Sequence, residues 1–226
     1  MTSPDSNYEF IGAFVDGLAR CGLNHVCICP GSRSTPLTIS FARHPNIKTW
    51  MHLDERSASY FALGLAKSLG EPVALVCTSG TAAANFFPAI IEAKYSFIPL
   101  VVLTADRPPE LWDWGANQTV DQQRLYGTHV KWFSTMPLAD KSHSLVSFSR
   151  AQAYRTIATC LENPAGPVHL NFPFREPLEP SSITEEIHQT PPHEASTLQD
   201  YKVPFHKLMT PNLQPHPPTI TRIAST

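Results

Sequence analysis

Two arginines, Arg33 and Arg107, lie in short polar segments that follow stretches of apolar residues. Serine hydroxyl groups flank Arg33 on both sides, at Ser32 and Ser34. A guanidinium group matches the geometry of a carboxylate or phosphate, and the N–H groups at a helix N-terminus also attract anions. These residue types predict a binding site for a metabolite that carries two or three acid groups.

One carboxylate, Glu55, is the candidate for acid–base chemistry. It follows Asp54, a favourable N-cap residue, and therefore occupies the first turn of a predicted helix. Small and apolar residues follow at 58–63, so the carboxyl group could lie in a poorly solvated site. The structural alternative is that Glu55 only complements the positive end of the helix dipole.

A third polar segment, Thr78–Thr81, connects a predicted strand to a predicted helix. Ser79 and Gly80 could cradle a phosphate, and a tight turn without a ligand is the equally good alternative. The sequence has no Gly-x-Gly-x-x-Gly after its first strand and no Gly-x-x-x-x-Gly-Lys-Ser/Thr. Dinucleotide and P-loop sites therefore lack their usual sequence basis.

The elements that must position these residues alternate between helical and strand patterns over the first 172 residues. Strands are predicted at 25–29, 47–53, 73–77, 100–103, 131–135 and 168–172, with helices at 6–22, 34–43, 55–69, 82–95 and 144–162. Thr119 and Gln122 have the spacing of a capping box, which predicts a further short helix. The order predicts an α/β fold, doubly wound, with a mainly parallel six-stranded sheet and helices on both faces.

Ligands of such sheets bind beyond the carboxyl ends of the strands, where the polar loops meet. The segments after the first four predicted strands hold Arg33, Glu55, Thr78–Gly80 and Arg107. Any one of these loops could be a simple turn. Four polar loops at one edge of the sheet, two of them with an arginine, predict a shared binding site.

The carboxyl-terminal segment has a different composition. Ten of the 22 prolines fall in the last 54 residues, where apolar periodicity fades. Such a segment buries too little apolar surface to offset its ordering entropy. We predict one domain over residues 1–180, and a poorly ordered linker or the truncated start of a middle domain over 181–226.

Composition excludes several classes of function. The formal net charge is -2 and 42% of the residues are hydrophobic, which does not indicate nucleic-acid binding. No apolar run is long enough for a membrane span, and no signal-peptide pattern opens the chain. The five cysteines have neither metal-ligand nor Cys-x-x-Cys spacing, so we expect buried free thiols, no metal site in this chain and a cytoplasmic protein.

Five motifs in order resemble one family closely. They are Pro30–Thr38 (PGSRSTPLT), His52–Ala58 (HLDERSA), Cys77–Asn85 (CTSGTAAAN), Leu103–Leu111 (LTADRPPEL), and Gly115–Gln118 (GANQ) followed by Asp121 and Gln122. Over residues 8–180 the chain resembles the 2-succinyl-5-enolpyruvyl-6-hydroxy-3-cyclohexene-1-carboxylate synthases, thiamine-diphosphate enzymes of menaquinone synthesis. The resemblance implies the pyrimidine-binding domain of the thiamine-diphosphate-binding fold.

The resemblance also implies roles for individual residues. Glu55 is the catalytic glutamate that hydrogen-bonds the pyrimidine ring of the cofactor, and Thr78, Ser79 and Gly80 form the loop beside that cofactor. The residues that face the substrate isochorismate are Ser32, Arg33, Arg107, Asn117 and Gln118. The arginines agree with the anion site that the residue types predict on their own.

For the complete enzyme, the resemblance implies decarboxylation of 2-oxoglutarate on thiamine diphosphate and transfer of the four-carbon unit to isochorismate. It also implies a homodimer or homotetramer and a Mg²⁺ or Mn²⁺ ion bound by a carboxyl-terminal domain. This sequence lacks the Gly-Asp-Gly motif of that domain. We therefore expect the 226-residue chain to be inactive on its own.

The sequence is compatible with two other interpretations. Other thiamine-diphosphate enzymes that act on 2-oxo acids share the domain and the glutamate, although they resemble the chain less at 106–110 and 115–118. A non-catalytic module that pairs with other subunits or binds an anionic metabolite is the alternative from another class. Calorimetry with isochorismate on the wild-type chain and on Arg33→Ala distinguishes a specific anion site from an inert domain.

Overall fold

The computed structural model describes residues 4–181, which form a six-stranded sheet flanked by helices. The strands are β1 (His25–Ile28), β2 (Lys48–Met51), β3 (Val73–Cys77), β4 (Leu100–Asp106), β5 (Phe133–Thr135) and β6 (Val168–Pro173). The helices are α1 (Pro4–Arg20), α2 (Thr35–Ala42), α3 (Glu55–Leu69), α4 (Thr81–Asn85), α5 (Phe87–Tyr95) and α6 (His143–Leu161). Short 3-10 turns lie at Ser32–Ser34, Pro109–Leu111 and Gly127–His129.

All neighbouring strands are parallel, in the order β2-β1-β3-β4-β6-β5. This confirms the predicted doubly wound α/β fold, since the chain starts near the centre and winds outward to both edges. Parallel strands require crossover connections, and the helices supply them on both faces of the sheet. The carboxyl ends of all six strands therefore lie at one edge of the sheet.

The central strands β3 and β4 are buried along their whole length, as their continuous apolar runs predict. Side chains alternate between the two faces of a strand. Val76 of β3 packs with the core that includes α1 and α6, whereas Leu75 packs with the core that includes α3 and α5. The two cores hold the sheet from both sides and leave its carboxyl edge free for polar loops.

Helix α3 begins and ends as its sequence predicts. The Asp54 carboxylate accepts a hydrogen bond of 2.7 Å from the backbone N–H of Ser57, which fixes the first turn. Gly70 closes the helix with φ of 69°, a left-handed conformation that glycine adopts without a steric penalty. Glu55 is consequently the first residue of a firmly capped helix.

Three of the helix predictions are wrong in part or in full. The helix expected at 82–95 is interrupted at Phe86 between α4 and α5, because Pro88 has no N–H to continue the ladder. No helix begins at Thr119, whose hydroxyl donates to the Asn117 carbonyl while the Gln122 side chain is buried. The first helix begins at Pro4, so Ser6 lies within it rather than capping it.

The carboxyl-terminal part of the chain at 182–226 lies outside the described residues, so the linker stays a prediction there. None of the helices within residues 4–181 is long and apolar enough to cross a lipid bilayer.

Candidate functional site

The candidate site lies at the carboxyl edge of the sheet, where the loops follow in the order of the strands. Glu55 follows β2, Ser32 and Arg33 follow β1, Thr78–Gly80 follows β3, and Arg107 follows β4. Neighbouring strands are about 4.8 Å apart, so three steps from β2 to β4 span about 14 Å. Glu55 and Arg107 therefore lie at opposite ends of one continuous rim.

Two of the loops are in close contact at the middle of the rim. A Cβ atom on Gly31 would lie 2.4 Å from Thr78 Cβ, so no larger residue fits while the loops keep this spacing. This contact places the segment after β1 directly against the segment after β3.

Glu55 lies beside the ends of two buried strands. Its side chain is half-buried, at the first position of α3. Burial, followed by the negative charge of Glu55, raises the pKa of the Cys29 thiol to about 12. Burial and the same carboxylate also raise the pKa of Cys77 well above its ordinary value. The Glu55 carboxyl group therefore lies near the ends of β1 and β3.

Arg33 is buried, with 4% of its surface exposed. Its guanidinium group donates to the Phe174 carbonyl at 2.9 Å and to the Glu176 carboxylate at 2.8 Å, while its Nε–H has no partner. Burial and then the charge of Arg107 lower the pKa of Arg33, an effect that Glu176 opposes. Arginine stays protonated under such shifts, so the site keeps a buried cation.

Arg107 shares the carboxylate of Glu176 with Arg33. Arg107 Nη1 lies 4.0 Å from Glu176 Oε1, the same oxygen that Arg33 contacts. The Arg107 side chain is 21% exposed, whereas the Glu176 side chain is 71% exposed. The two predicted arginines thus lie around one carboxylate group, an arrangement that suits an acidic ligand.

The segment that carries Glu176 is held from two directions. Arg175 forms a two-pronged ion pair with Glu110 in the turn after β4. Tyr8 of α1 donates to the Leu178 carbonyl at 2.7 Å, and Asn7 donates to the Pro177 carbonyl at 3.3 Å. These contacts place the Glu176 carboxylate over the arginine pair.

The loop Thr78–Gly80 is buried and closely packed against Gln118. Gly80 has φ of 86° and ψ of -145°, a conformation available almost only to glycine. Gln118 Nε2 donates to the Ser79 carbonyl at 3.1 Å. The Ser79 hydroxyl is among the buried side-chain groups of the described residues that have no hydrogen-bond partner. A glycine-shaped cradle with an unpartnered hydroxyl fits a polar cofactor.

Two other predicted site residues are exposed. Ser32 opens the 3-10 turn after β1, and Asn117 lies in the turn that precedes Gln118. The Asn117 backbone carbonyl accepts from Thr119, which shapes that turn. Both side chains are accessible to a ligand.

A pocket of about 460 Å³ opens beside the end of β4. Its lining residues are Asp106, Trp112, Asp113, Gly115, Thr119, Val120, Asp121, Gln122 and Gln123. This volume suits a small ligand, but three carboxylates line it and disfavour an anion. The arginine pair therefore remains the better anion site of the rim.

The sequence predictions missed four residues that shape the site. Gln122, Asn171 and Asp106 form a buried hydrogen-bonded group behind the rim, and Glu176 covers the arginine pair. A signal for the first three is present in β6, where the polar residues His169 and Asn171 interrupt an apolar strand. Buried polar side chains need partners, and these two find them in Thr104 and Asp106 of the adjacent strand β4 and in the loop residue Gln122.

Within the described range 4–181, no three histidine, cysteine, aspartate or glutamate side chains converge on a position that could hold a metal ion. All five cysteines are free thiols, and four of them are buried, as the sequence predicts, whereas Cys21 is only half-buried.

Comparisons with known proteins agree with this geometry. Residues 10–125 match the family described as thiamine pyrophosphate enzyme, N-terminal TPP binding domain. That range begins in α1 and ends beyond Gln122, so it covers every site residue that the sequence predicts.

The curated relatives of this chain include several proteins named 2-succinyl-5-enolpyruvyl-6-hydroxy-3-cyclohexene-1-carboxylate synthase. The protein of Haloquadratum walsbyi is 54% identical over 88% of this chain and 32% of its own length. That of Geobacillus kaustophilus is 55% identical over 78% of this chain and 30% of its own length. That of Roseiflexus castenholzii is 49% identical over 89% of this chain and 35% of its own length. The chain spans about a third of the length of the curated relatives that it matches.

Proposed function

Because this chain belongs to the thiamine pyrophosphate enzymes through their N-terminal binding domain, we propose that it forms the pyrimidine-binding part of a 2-succinyl-5-enolpyruvyl-6-hydroxy-3-cyclohexene-1-carboxylate synthase. The observation that carries the proposal is the order of groups along the rim. Glu55 follows β2 at one end, and the loop Thr78–Gly80 follows β3 in the middle. The side chain of Arg33 extends from the loop after β1 to meet Arg107 at Glu176, near the ends of β4 and β6. This order suits a cofactor and an acidic substrate placed side by side.

The residues present fit the pyrimidine end of thiamine diphosphate. Glu55 would bind the ring nitrogen, and the buried Ser79 hydroxyl and the Gly80 loop would contact the cofactor. When bound, the cofactor supplies a carbon nucleophile and an electron sink for decarboxylation of a 2-oxo acid. The contribution of Glu55 is to hold and exchange a proton at its carboxyl oxygen, at the half-buried start of α3.

The arginine pair supports isochorismate as the acceptor substrate. Arg33 and Arg107 approach one oxygen of Glu176 in the described structure, so a substrate carboxylate can replace that group. Ser32, Asn117 and Gln118 would supply hydrogen bonds to the remaining polar groups of this substrate. Binding at fixed positions next to the cofactor is the main way in which such a rim promotes the reaction.

We propose 2-oxoglutarate as the donor substrate and Mg²⁺ or Mn²⁺ as the ion that accompanies the diphosphate. The free thiols suit a reducing compartment such as the cytoplasm. An apolar strip beside Glu55 supports homo-oligomer formation, since Met51, Leu53 and Tyr60 are 55%, 98% and 42% exposed.

Calorimetry with isochorismate tests the proposed function. Arg107→Ala should weaken binding by about 10- to 100-fold, because a hydrogen bond between charged groups is worth about 1.5–3 kcal/mol. Arg20→Ala is the matched control, since this exposed arginine pairs with Asp16 on α1. Equal affinities for wild type and Arg107→Ala would contradict the assignment of isochorismate to this rim.

A further inference from the structure

A chain of hydrogen bonds runs behind the rim, from the loop after β3 to the loop after β4. It begins at the backbone N–H of Gly80, which donates to Gln122 Oε1 at 2.8 Å. The amide nitrogen of Gln122 donates to Asn171 Oδ1 at 2.8 Å and to the Ala105 carbonyl at 3.1 Å. Gln122 therefore connects the cofactor loop to strands β4 and β6.

The same chain continues to Arg107. Asn171 Nδ2 donates to Asp106 Oδ2 at 2.7 Å, and the other oxygen of that carboxylate accepts from the Arg107 backbone N–H at 2.7 Å. Four hydrogen bonds thus join the N–H of Gly80 to the N–H of Arg107. We call the side chains of Gln122, Asn171 and Asp106 the amide relay.

The amide relay is buried, with exposures of 1% for Gln122, 0% for Asn171 and 1% for Asp106. Because water does not reach these groups, each donor must keep its acceptor, and a lost bond costs about 1–3 kcal/mol. Buried polar networks of this kind specify one arrangement of the surrounding chain.

Each orientation in the relay is fixed by its neighbours. The Gly80 N–H can only donate and the Ala105 carbonyl can only accept, so the amide of Gln122 has one orientation. Thr104 donates to Asn171 Oδ1 at 2.7 Å, which fixes the amide of Asn171 as well. A change at either end therefore leaves an unsatisfied group at the other end or forces both amides to rotate.

We propose that Gln122 is a positioning residue that couples the cofactor loop Thr78–Gly80 to the substrate arginine Arg107 through the amide relay. This inference rests on the proposed function, which assigns the loop to thiamine diphosphate and the arginine to isochorismate. Gln122 itself contacts neither ligand. It makes the position of one binding loop depend on the position of the other.

The coupling is measured as a ratio of two dissociation constants. Calorimetry gives the affinity of the full chain for isochorismate with and without saturating thiamine diphosphate. The two dissociation constants of the wild-type chain should differ by about fivefold or more, which is within the usual range of coupling between two sites. Gln122→Met, which has similar volume and no hydrogen bonds, should reduce the ratio to about one. Gln122→Glu should do the same, because it keeps an acceptor for Gly80 and loses the donor for Asn171.

Ser149→Ala is the control, since Ser149 is also buried and hydrogen-bonded but lies on α6, away from the rim. Its hydroxyl donates to the Phe10 carbonyl at 2.7 Å. The Ser149→Ala variant should keep the wild-type ratio. Three results would overturn the inference and leave the proposed function standing. They are a ratio of one in the wild type, an unchanged ratio in Gln122→Met, and a ratio in Ser149→Ala that falls as far as in Gln122→Met. A chain that binds neither ligand overturns the proposed function, and the inference with it.

A second measurement needs no ligand. In Asp106→Asn the new amide cannot accept from both Asn171 and Arg107 as the carboxylate does, so the disturbance should pass through Gln122. The Gly80 amide should change its chemical shift and exchange with solvent at least several-fold faster. An unchanged Gly80 amide in this variant overturns the inference, whatever the ligands do.

Discussion

Gly80 packs so closely against Gln118 that a Cβ atom at Gly80 would lie 2.8 Å from Gln118 Cγ and 3.2 Å from the Gln118 carbonyl oxygen. The contact joins the loop after β3 to the segment that carries the two predicted substrate amides. Both the close approach and the positive φ of 86° require glycine at this position.

Gly80→Ala should therefore destabilise the chain by about 1–3 kcal/mol in urea unfolding, because alanine is strained in this conformation. It should also weaken thiamine diphosphate binding, since Gln118 must move. Gly64→Ala is the control, as a Cβ at this exposed position of α3 has no neighbour within 4 Å. The free energy of unfolding of Gly64→Ala should be up to about 1 kcal/mol higher than that of wild type. A Gly80→Ala chain as stable as wild type would show that the loop adapts.

His169 predicts how stability depends on pH. Burial lowers its pKa from 6.5 to about 3, and its ring faces Tyr126 and Phe133. The unfolded chain binds a proton at this group below about pH 6.5 while the folded chain does not. Stability from this group is therefore complete above pH 6.5 and lost progressively from there down to about pH 3.

Between pH 7 and pH 5 the loss from His169 amounts to about 2 kcal/mol. The free energy of unfolding in urea should fall between pH 7 and pH 5 in both chains. The fall in wild type should exceed the fall in His169→Gln by this amount. Glutamine can still donate to the Thr104 hydroxyl, which contacts His169 Nε2 at 2.8 Å. The same pH dependence in both chains would show that His169 is accessible to protons in the folded state.

Glu176 should compete with an acidic substrate for the arginine pair. Its contact with Arg33 is 2.8 Å long, yet its side chain is 71% exposed, so the ion pair is worth no more than about 1 kcal/mol. Glu176→Gln should then raise the affinity for isochorismate by up to about fivefold in calorimetry. Asp16→Asn, which changes the exposed ion pair with Arg20 on α1, should leave the affinity unchanged. Weaker binding in Glu176→Gln would mean that this carboxylate orients the arginines for the substrate.

The apolar strip beside Glu55 should mediate self-association. Leu53 is 98% exposed, so light scattering at increasing concentration should give a mass above the 25.0 kDa of one chain. Leu53→Ser should lower that mass. Leu69→Ser, at the other end of α3, should not. A constant mass of one chain in the wild type would contradict homo-oligomer formation.

The sequence predicted the fold well because its strongest patterns are local. The apolar runs at 73–77 and 100–103 lie in the two central strands, and the Asp54 and Gly70 caps confirm the bounds of α3. The strand expected at 100–103 continues to Asp106, because Thr104 and Asp106 face buried polar partners that the sequence does not reveal. Such pairings depend on the adjacent strand and not on the local pattern.

The site was predicted less completely, for a related reason. The spacing of Thr119 and Gln122 fits a capping box, but the Gln122 amide is used in the interior by Gly80 and Asn171. Glu176 has no local pattern at all, since its position depends on contacts of its segment with α1 and Glu110. The residues predicted to contact a ligand belong to recognisable motifs, whereas Asn171 and Glu176, which contact residues of those motifs, come from distant parts of the chain.

The most direct test of the central claim asks whether Glu55 binds the aminopyrimidine ring of thiamine diphosphate. Saturation-transfer NMR on the full chain should give stronger signals for the pyrimidine protons than for the thiazolium protons. In Glu55→Gln the apparent affinity measured from the pyrimidine signals should be about tenfold lower, because a charged hydrogen bond is lost. The Asp54 cap stays, so the helix start should be unchanged. Glu92→Gln, at an exposed position on α5, should behave as wild type. Pyrimidine signals of equal strength in wild type and Glu55→Gln would contradict the account.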